Sequence, residues 1–368
     1  MFTLTFTDPA CRDVRETGGK AKSLADMTAN ELPVAPGFAV TAEAYRHFLA
    51  ATGLGETIGR LLADPLDPHD LAALERTGNA LMEAVRQTAI PQDLAEAVRA
   101  AYAELCTTTG LDDVSVAVRS SATSEDSAGA SFAGEFETWV DIRGAEDVLA
   151  HLLKCYESVF APRVLGYAIE QELDPRTIEM AVVVQKVVRA RAAGVMFTLS
   201  PTSGDRSKIV LEASWGLGLA VVGGEVTPDR FLVDKIGLEI ADRTPGDKRI
   251  EYRTGAAPTP VEESRHRTLC LDDAEVTALA KLGKRLERIH GSAQDIEFAV
   301  DEELPEGSNL VLLQCRPETV WSGAERKPAF DASAGMMSWI TGSISGGAAA
   351  AAGHTHDLAH KHSASRAR

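Results

Sequence analysis

The sequence is short of cysteine, of positive charge and of long apolar runs. Its five cysteines, Cys11, Cys106, Cys155, Cys270 and Cys315, stand far apart and form no C-x-x-C pair. That excludes a zinc knuckle and a dithiol redox motif. Lys and Arg number 37 against 54 Asp and Glu, for a net charge of −17. Phosphate backbones and anionic bilayers are gripped by clustered Lys and Arg, so general nucleic-acid or membrane binding is not expected. No apolar stretch reaches the roughly 18 residues that a spanning helix needs. Met1-Phe2-Thr3-Leu4 leads to Asp8 with no basic and then apolar leader pattern. These features together predict a cytoplasmic protein with reduced thiols. No internal repeat is visible.

What is present is a chain of 368 residues, 45% hydrophobic and 25% charged, enough for a sizeable core and two lobes. Residues 1–184 begin with a helical section. A helix is predicted from Gly18-Gly19-Lys20 through Met27, a second over Ala42–Leu49 capped by Thr41, and two more over Asp70–Ala89 and from Pro91 to Leu105. A strand at Val114–Val118 then ends at Arg119. A Ser/Ala/Gly-rich loop from Ser120 to Gly134 follows, and then a strand at Glu137–Ile142. A helix from Ala145 to Ile169, broken near Pro162, precedes the buried-type strand Ile178–Val184. Residues 185–323 carry strands at Gly194–Leu199, Lys208–Ala213, Phe231–Asp234, Ile296–Val300 and Leu310–Leu313, with a helix at Asp273–Ile289. The pattern predicts a mixed α/β (α+β) architecture with two lobes. Residues 324–368, rich in alanine and holding four of the nine histidines (His354, His356, His360 and His362), read as a flexible tail without a metal site.

Four segments carry residues suited to a nucleoside triphosphate. Gly18-Gly19-Lys20 offers close backbone approach and a positive charge, but it is no Walker A loop, because Val14 and Ala21 stand where glycine and Ser/Thr belong. Arg119 followed by the hydroxyl-rich loop can present a guanidinium and several N–H groups to phosphates. Trp215-Gly216-Leu217-Gly218, with Thr227-Pro228-Asp229 beyond it, is alone a turn motif. The fourth joins Gln294-Asp295-Ile296-Glu297 to Leu313-Gln314-Cys315-Arg316-Pro317. Alternation puts Asp295 and Glu297 on one strand face, and Gln314 and Arg316 share that spacing on a second strand. Pairing the two strands would set two carboxylates beside a glutamine and an arginine. That set suits Mg²⁺ and phosphate, or a plain inter-strand ion pair.

In their order along the chain, GGKAKSLADM, PVAPGFAVTAEAY, VAVRSSATSEDSAGASFAGEFET, GVMFTLSP, EASWGLG, VTPD, QDIEFAV and LLQCRP resemble the N-terminal nucleotide-binding domain of the phosphoenolpyruvate synthase, pyruvate phosphate dikinase and rifampin phosphotransferase family. The resemblance covers about residues 16 to 320. It implies a two-lobed ATP-grasp-like fold that binds ATP and Mg²⁺. By motif match, Lys20, Arg119 and Arg316 would meet the phosphates and act in catalysis. Glu297, Gln314 and Asp295 would hold the metal, with Glu297 and Gln314 also at the phosphate end. Gln185 would sit at the hinge near adenine, and the Ser131–Gly134 backbone, with Ser131, Ala133 and Gly134, would cover the phosphates. Leu219 and Glu135 depart from residues common at their places. The family passes phosphate through a histidine in a T-S-H-A context, and these 368 residues contain none. The expectation is an ATP-binding subunit, inactive alone, that phosphorylates a histidine-domain partner subunit and thereby an acceptor. The likeness to phenylphosphate synthase makes a phenol the first acceptor. Pyruvate, an antibiotic hydroxyl, a self-sufficient ATP-grasp ligase and a non-catalytic nucleotide sensor are the alternatives.

Overall fold

Strand and helix ends follow local chemistry closely. The computed structural model describes residues 1–123, 137–255 and 257–321, with backbone alone at 126–127 and 130–131. The Ala133 and Gly134 positions and the histidine-rich tail lie outside the described residues. The strands are β1 (Thr3–Thr5), β2 (Gly37–Val40), β3 (Val116–Ala122), β4 (Asp126–Ser127), β5 (Ala130–Ser131), β6 (Thr138–Ile142), β7 (Met180–Lys186) and β8 (Ala190–Phe197). They continue as β9 (Lys208–Trp215), β10 (Asp229–Asp234), β11 (Ile240–Thr244), β12 (Ile250–Glu251), β13 (Thr259–Pro260), β14 (Gln294–Asp301) and β15 (Leu310–Pro317). The helices are α1 (Val14–Ala29), α2 (Ala42–Ala51), α3 (Leu54–Leu61), α4 (Leu71–Arg86), α5 (Gln92–Thr109), α6 (Ala145–Ser158), α7 (Pro162–Glu170), α8 (Leu219–Val222) and α9 (Asp273–His290).

The architecture is α+β, built on two antiparallel sheets. The first has five strands in the order β1-β2-β7-β3-β6, the second six in the order β11-β10-β9-β8-β14-β15. Strand β7 (MAVVVQK) is buried along almost all its length because it lies mid-sheet with both faces covered. Its Val182 and Val184 face a core with Phe48, Leu94, Leu152 and Tyr156 from the surrounding helices. Val183 points the other way, into a core with Leu24 and Met27 of α1. That second core also takes Leu279 and Leu286 of α9 and Phe298 of β14. Helix α1 therefore packs on both sheets. A parallel bridge between Val34 and Leu312 further ties the first sheet's chain to β15, with Leu312 N–H donating to the Pro33 carbonyl at 2.7 Å.

The Thr41 cap predicted for α2 is present, and the structure adds others. Thr41 accepts from Ala44 N–H at 3.3 Å ahead of α2, and Asp70 caps α4. Asp272 and Glu275 form a reciprocal capping box on α9, which Gly291 ends in the left-handed region. Two expectations need correction. Arg119 does not end a strand, since β3 runs on through Ser120, Ser121 and Ala122, all buried. The loop expected from Ser120 therefore starts later. Strand β7 likewise runs past Gln185 to Lys186. The reason is packing: α1 bends at Gly18 (φ 72°, ψ 174°) and lies directly on β3. A Cβ on Gly18 would fall 2.1 Å from the Ser121 carbonyl oxygen. The Ser121 hydroxyl donates to the Thr17 carbonyl at 2.8 Å, so small residues that resemble loop composition are buried strand.

Candidate functional site

The strand pairing that the sequence suggested forms. Strands β14 and β15 run antiparallel, with Glu297 opposite Gln314 and Asp295 opposite Arg316, and a register shift between Glu297 and Phe298. Period-two alternation sends Ile296 and Phe298 into the α9 core and leaves the two carboxylates on the other face. Arg119 reaches that face from the first sheet. Its guanidinium donates to Glu297 Oε2 at 3.2 Å, to the Leu313 carbonyl at 3.1 Å, and to Gln314 Oε1. Arg119 is 9% exposed, and its Nε is buried without a hydrogen-bond partner among the described residues. One arginine thus gathers a carboxylate, an amide oxygen and a backbone carbonyl.

Beside it lies a cavity of about 200 Å³. Arg119, Glu297 and Gln185 give it a polar side, while Val187, Val188, Leu217 and Leu313 give it an apolar one. Both sheets supply walls. The Gln185 side chain is 2% exposed and donates from Nε2 to the Ala35 carbonyl at 3.3 Å. A ligand with a flat apolar group and an anionic end matches this division, since apolar walls bury the former and a guanidinium fork binds the latter.

The remaining expected residues are spread around this centre. Lys20 is half-buried on α1, two residues past the bend, and is not among the residues lining the cavity. Burial pushes the Cys155 thiol up to about 12, and Lys20 is near enough to oppose that rise. Ser131 lies on β5, described by its backbone alone. Arg316 forks onto Asp295, with Nε 2.9 Å and Nη2 2.8 Å from Oδ2. This is the inter-strand ion pair that the spacing allowed. It leaves Asp295 committed to Arg316, while Glu297 faces Arg119.

Burial raises the Asp295 carboxyl above its ordinary value, against the pull of Arg316 and with Glu297 and Glu318 adding to the rise. A carboxyl whose folded value exceeds its unfolded one makes the fold lose stability as pH climbs through that window. The melting temperature of Asp295→Asn should therefore gain on that of the unsubstituted chain as pH rises above the ordinary carboxylate range. A difference between the two that does not change with pH would count against it.

The donor chemistry at Glu297 and Gln314 fits a divalent cation in one mode only. Their oxygens already converge on a single cation, the Arg119 guanidinium. Among the described residues no group of three or more His, Cys, Asp and Glu side chains converges to make a protein-only cage. A carboxylate and an amide oxygen suit Mg²⁺ when waters and phosphates complete the shell. Sequence reasoning missed the Leu313 carbonyl and the Val187–Val188 wall. Backbone acceptors leave no sequence mark, but the apolar pair Val187-Val188, just past Gln185-Lys186, was a readable signal.

Comparison with known proteins bears on the same residues. The family described as "Pyruvate phosphate dikinase, AMP/ATP-binding domain" matches residues 14–335. A "Probable phosphoenolpyruvate synthase" of Methanocaldococcus jannaschii is 40% identical over 327 residues, covering 86% of this chain and 27% of that protein. One of Methanothermobacter thermautotrophicus is 41% identical over 312 residues, covering 83% of this chain and 44% of that protein. The "Phosphoenolpyruvate synthase" of Aeropyrum pernix is 38% identical over 343 residues, covering 84% and 42%. The chain thus spans between a quarter and a half of the length of these relatives.

Proposed function

Because the chain belongs to the pyruvate phosphate dikinase AMP/ATP-binding domain family, we propose that it is the ATP-binding part of a dikinase-type, AMP-forming phosphotransferase. The observation that carries this is the cavity with Arg119 and Glu297 at one side and Val187, Val188 and Leu217 at the other. The base would lie against the apolar wall and the triphosphate would run toward Arg119. In this reading the two sheets are the lobes of an ATP-grasp-like clamp, divided at about residues 184/185.

Each polar residue then has a task. Arg119 and Arg316 supply fixed guanidinium charge where the phosphates gain negative charge, and Lys20 adds a point charge from α1. Gln185 fixes the hinge side of the base, and the Ser131–Gly134 backbone covers the phosphates. Glu297 and Gln314 would hold Mg²⁺, with Asp295 as an acidic neighbour. When bound there, the metal would supply positive charge against the phosphates. The chain's own groups placed at the cavity bind and orient the phosphates, and among the described residues there none is a nucleophile adjacent to a general base.

The phosphoryl group therefore goes, in this reading, to a histidine outside this sequence, on a partner subunit. ATP transfers its β,γ-diphosphate to that imidazole and AMP leaves. Water then releases phosphate, and the remaining phosphoryl group passes to the acceptor hydroxyl. A phenol is the acceptor we favour, from the likeness to phenylphosphate synthase. The names of the relatives support pyruvate as the second reading.

The test combines the purified chain with histidine-bearing candidate partners and ATP labelled at the β-phosphate. A labelled partner histidine with AMP release supports the proposal, and an acceptor screen then separates phenols from pyruvate. ADP release by the chain alone would replace it with the ligase reading. Nucleotide affinity without turnover with any partner would replace it with the sensor.

A further inference from the structure

The Arg119 guanidinium occupies the same two side-chain oxygens that a divalent cation would need. It donates to Glu297 Oε2 at 3.2 Å and to Gln314 Oε1, while the Leu313 carbonyl, 3.1 Å away, holds its other arm. The side chains of Arg119 and Glu297 are 11% and 29% exposed, so little water screens this contact. A guanidinium cannot be neutralised by losing its proton. A metal ion arriving at Glu297 and Gln314 would meet a fixed positive charge already bonded to both.

We propose that Arg119 is a resident counter-cation that excludes free divalent metal from Glu297 and Gln314 until a polyanion draws the guanidinium away. This rests on the nucleotide-site reading above and adds a rule of order to it. A triphosphate offers Arg119 new oxygen partners at the polar side of the cavity. The guanidinium moves onto those phosphates, and Glu297 and Gln314 turn their oxygens to the metal. Nucleotide and metal then bind with strong positive coupling, and by linkage each raises the affinity of the other by the same factor. The buried Nε, without a partner among the described residues, is consistent with an arginine whose bonding is incomplete in this position. Because Arg119 lies on β3 and its three acceptors on β14 and β15, the exchange also loosens a direct tie between the two sheets.

The proposal is read with Mn²⁺ on the full chain and without turnover. Free Mn²⁺ binding, followed by electron paramagnetic resonance in the absence of nucleotide, should be weak in the unsubstituted chain and at least tenfold tighter in Arg119→Met. Arg119→Lys keeps a cation on β3 and should show little gain. Adding Glu297→Gln to Arg119→Met should abolish the gain, which locates the new site. Arg119→Gln replaces the methionine variant if a thermal melt shows that the latter is unfolded. Equal Mn²⁺ affinity in the unsubstituted chain and in the folded neutral variants overturns the proposal. A separate arm measures Mn²⁺–ATP binding to the unsubstituted chain by fluorescent-nucleotide displacement. Failure there overturns the nucleotide-site reading, while the Mn²⁺ arm still decides the exclusion.

Discussion

Arg119→Ala is expected to lower AMP release by the reconstituted system about 10²- to 10³-fold, or roughly 3–4 kcal/mol of transition-state stabilisation. The size follows from what alanine removes. The guanidinium is the buried cation on the cavity wall, and it is placed by β3 rather than by a loop. A charge held by a strand in a poorly hydrated site needs little rearrangement when phosphate charge develops. The same substitution removes hydrogen bonds to Glu297, Gln314 and the Leu313 carbonyl. A melt must therefore accompany the kinetics. A large drop in turnover with a small shift in melting temperature supports the phosphate role. Turnover within threefold of the unsubstituted system would remove Arg119 from the chemistry.

The largest expected effect on stability lies elsewhere. Lys248 and Asp229 are both 0% exposed and ion-paired. Asp229 also accepts from Gly246 N–H at 2.8 Å and from Cys270 N–H at 2.7 Å. One carboxylate at the start of β10 thus ties down the segment after β11 and the approach to α9. Lys248→Met would leave that carboxylate buried with two amide donors and the Cys270 thiol but no counter-charge. Breaking a buried pair on one side costs about 3–5 kcal/mol. A denaturant titration should show a midpoint loss of that order, with an unchanged slope. The double variant Asp229→Asn with Lys248→Met should recover much of the loss, because no uncompensated charge remains. A single variant within about 1 kcal/mol of the unsubstituted chain would show that the pair contributes little.

The parts legible in the sequence were those with short-range signatures. Thr41 marks the start of α2 within one turn, and helical ranges beginning at Asp70 and Asp273 were read ahead of α4 and α9. The shared two-residue spacing of Asp295/Glu297 and Gln314/Arg316 was enough to foresee their pairing. Strand β11 was missed because IADRT is nearly all exposed and shows no apolar alternation. Helix α3 was missed because it follows a left-handed Gly53 without a side-chain cap. The end of β3 was misread because Ser120–Ala122 have loop-like composition, and only the bend of α1 at Gly18 explains their burial. The Asp229–Lys248 pair joins residues separated by two strands, and no local pattern announces it. At the site, side-chain types were readable, whereas the reach of Arg119 across to β14 and β15 is a property of the folded chain.

Between β7 and β8 the chain crosses from one sheet to the other in just three residues, Val187, Val188 and Arg189. Val187 N–H donates to the Ser115 carbonyl at 2.8 Å, and the Arg189 carbonyl accepts from Glu302 N–H at 2.9 Å. This tether has no slack, and two of its residues are also cavity wall. One inserted residue would shift the wall against which a ligand's flat group rests and slip the strands on either side. Length variation over evolution should therefore collect in exposed turns such as 302–308, leaving the crossing at its present count.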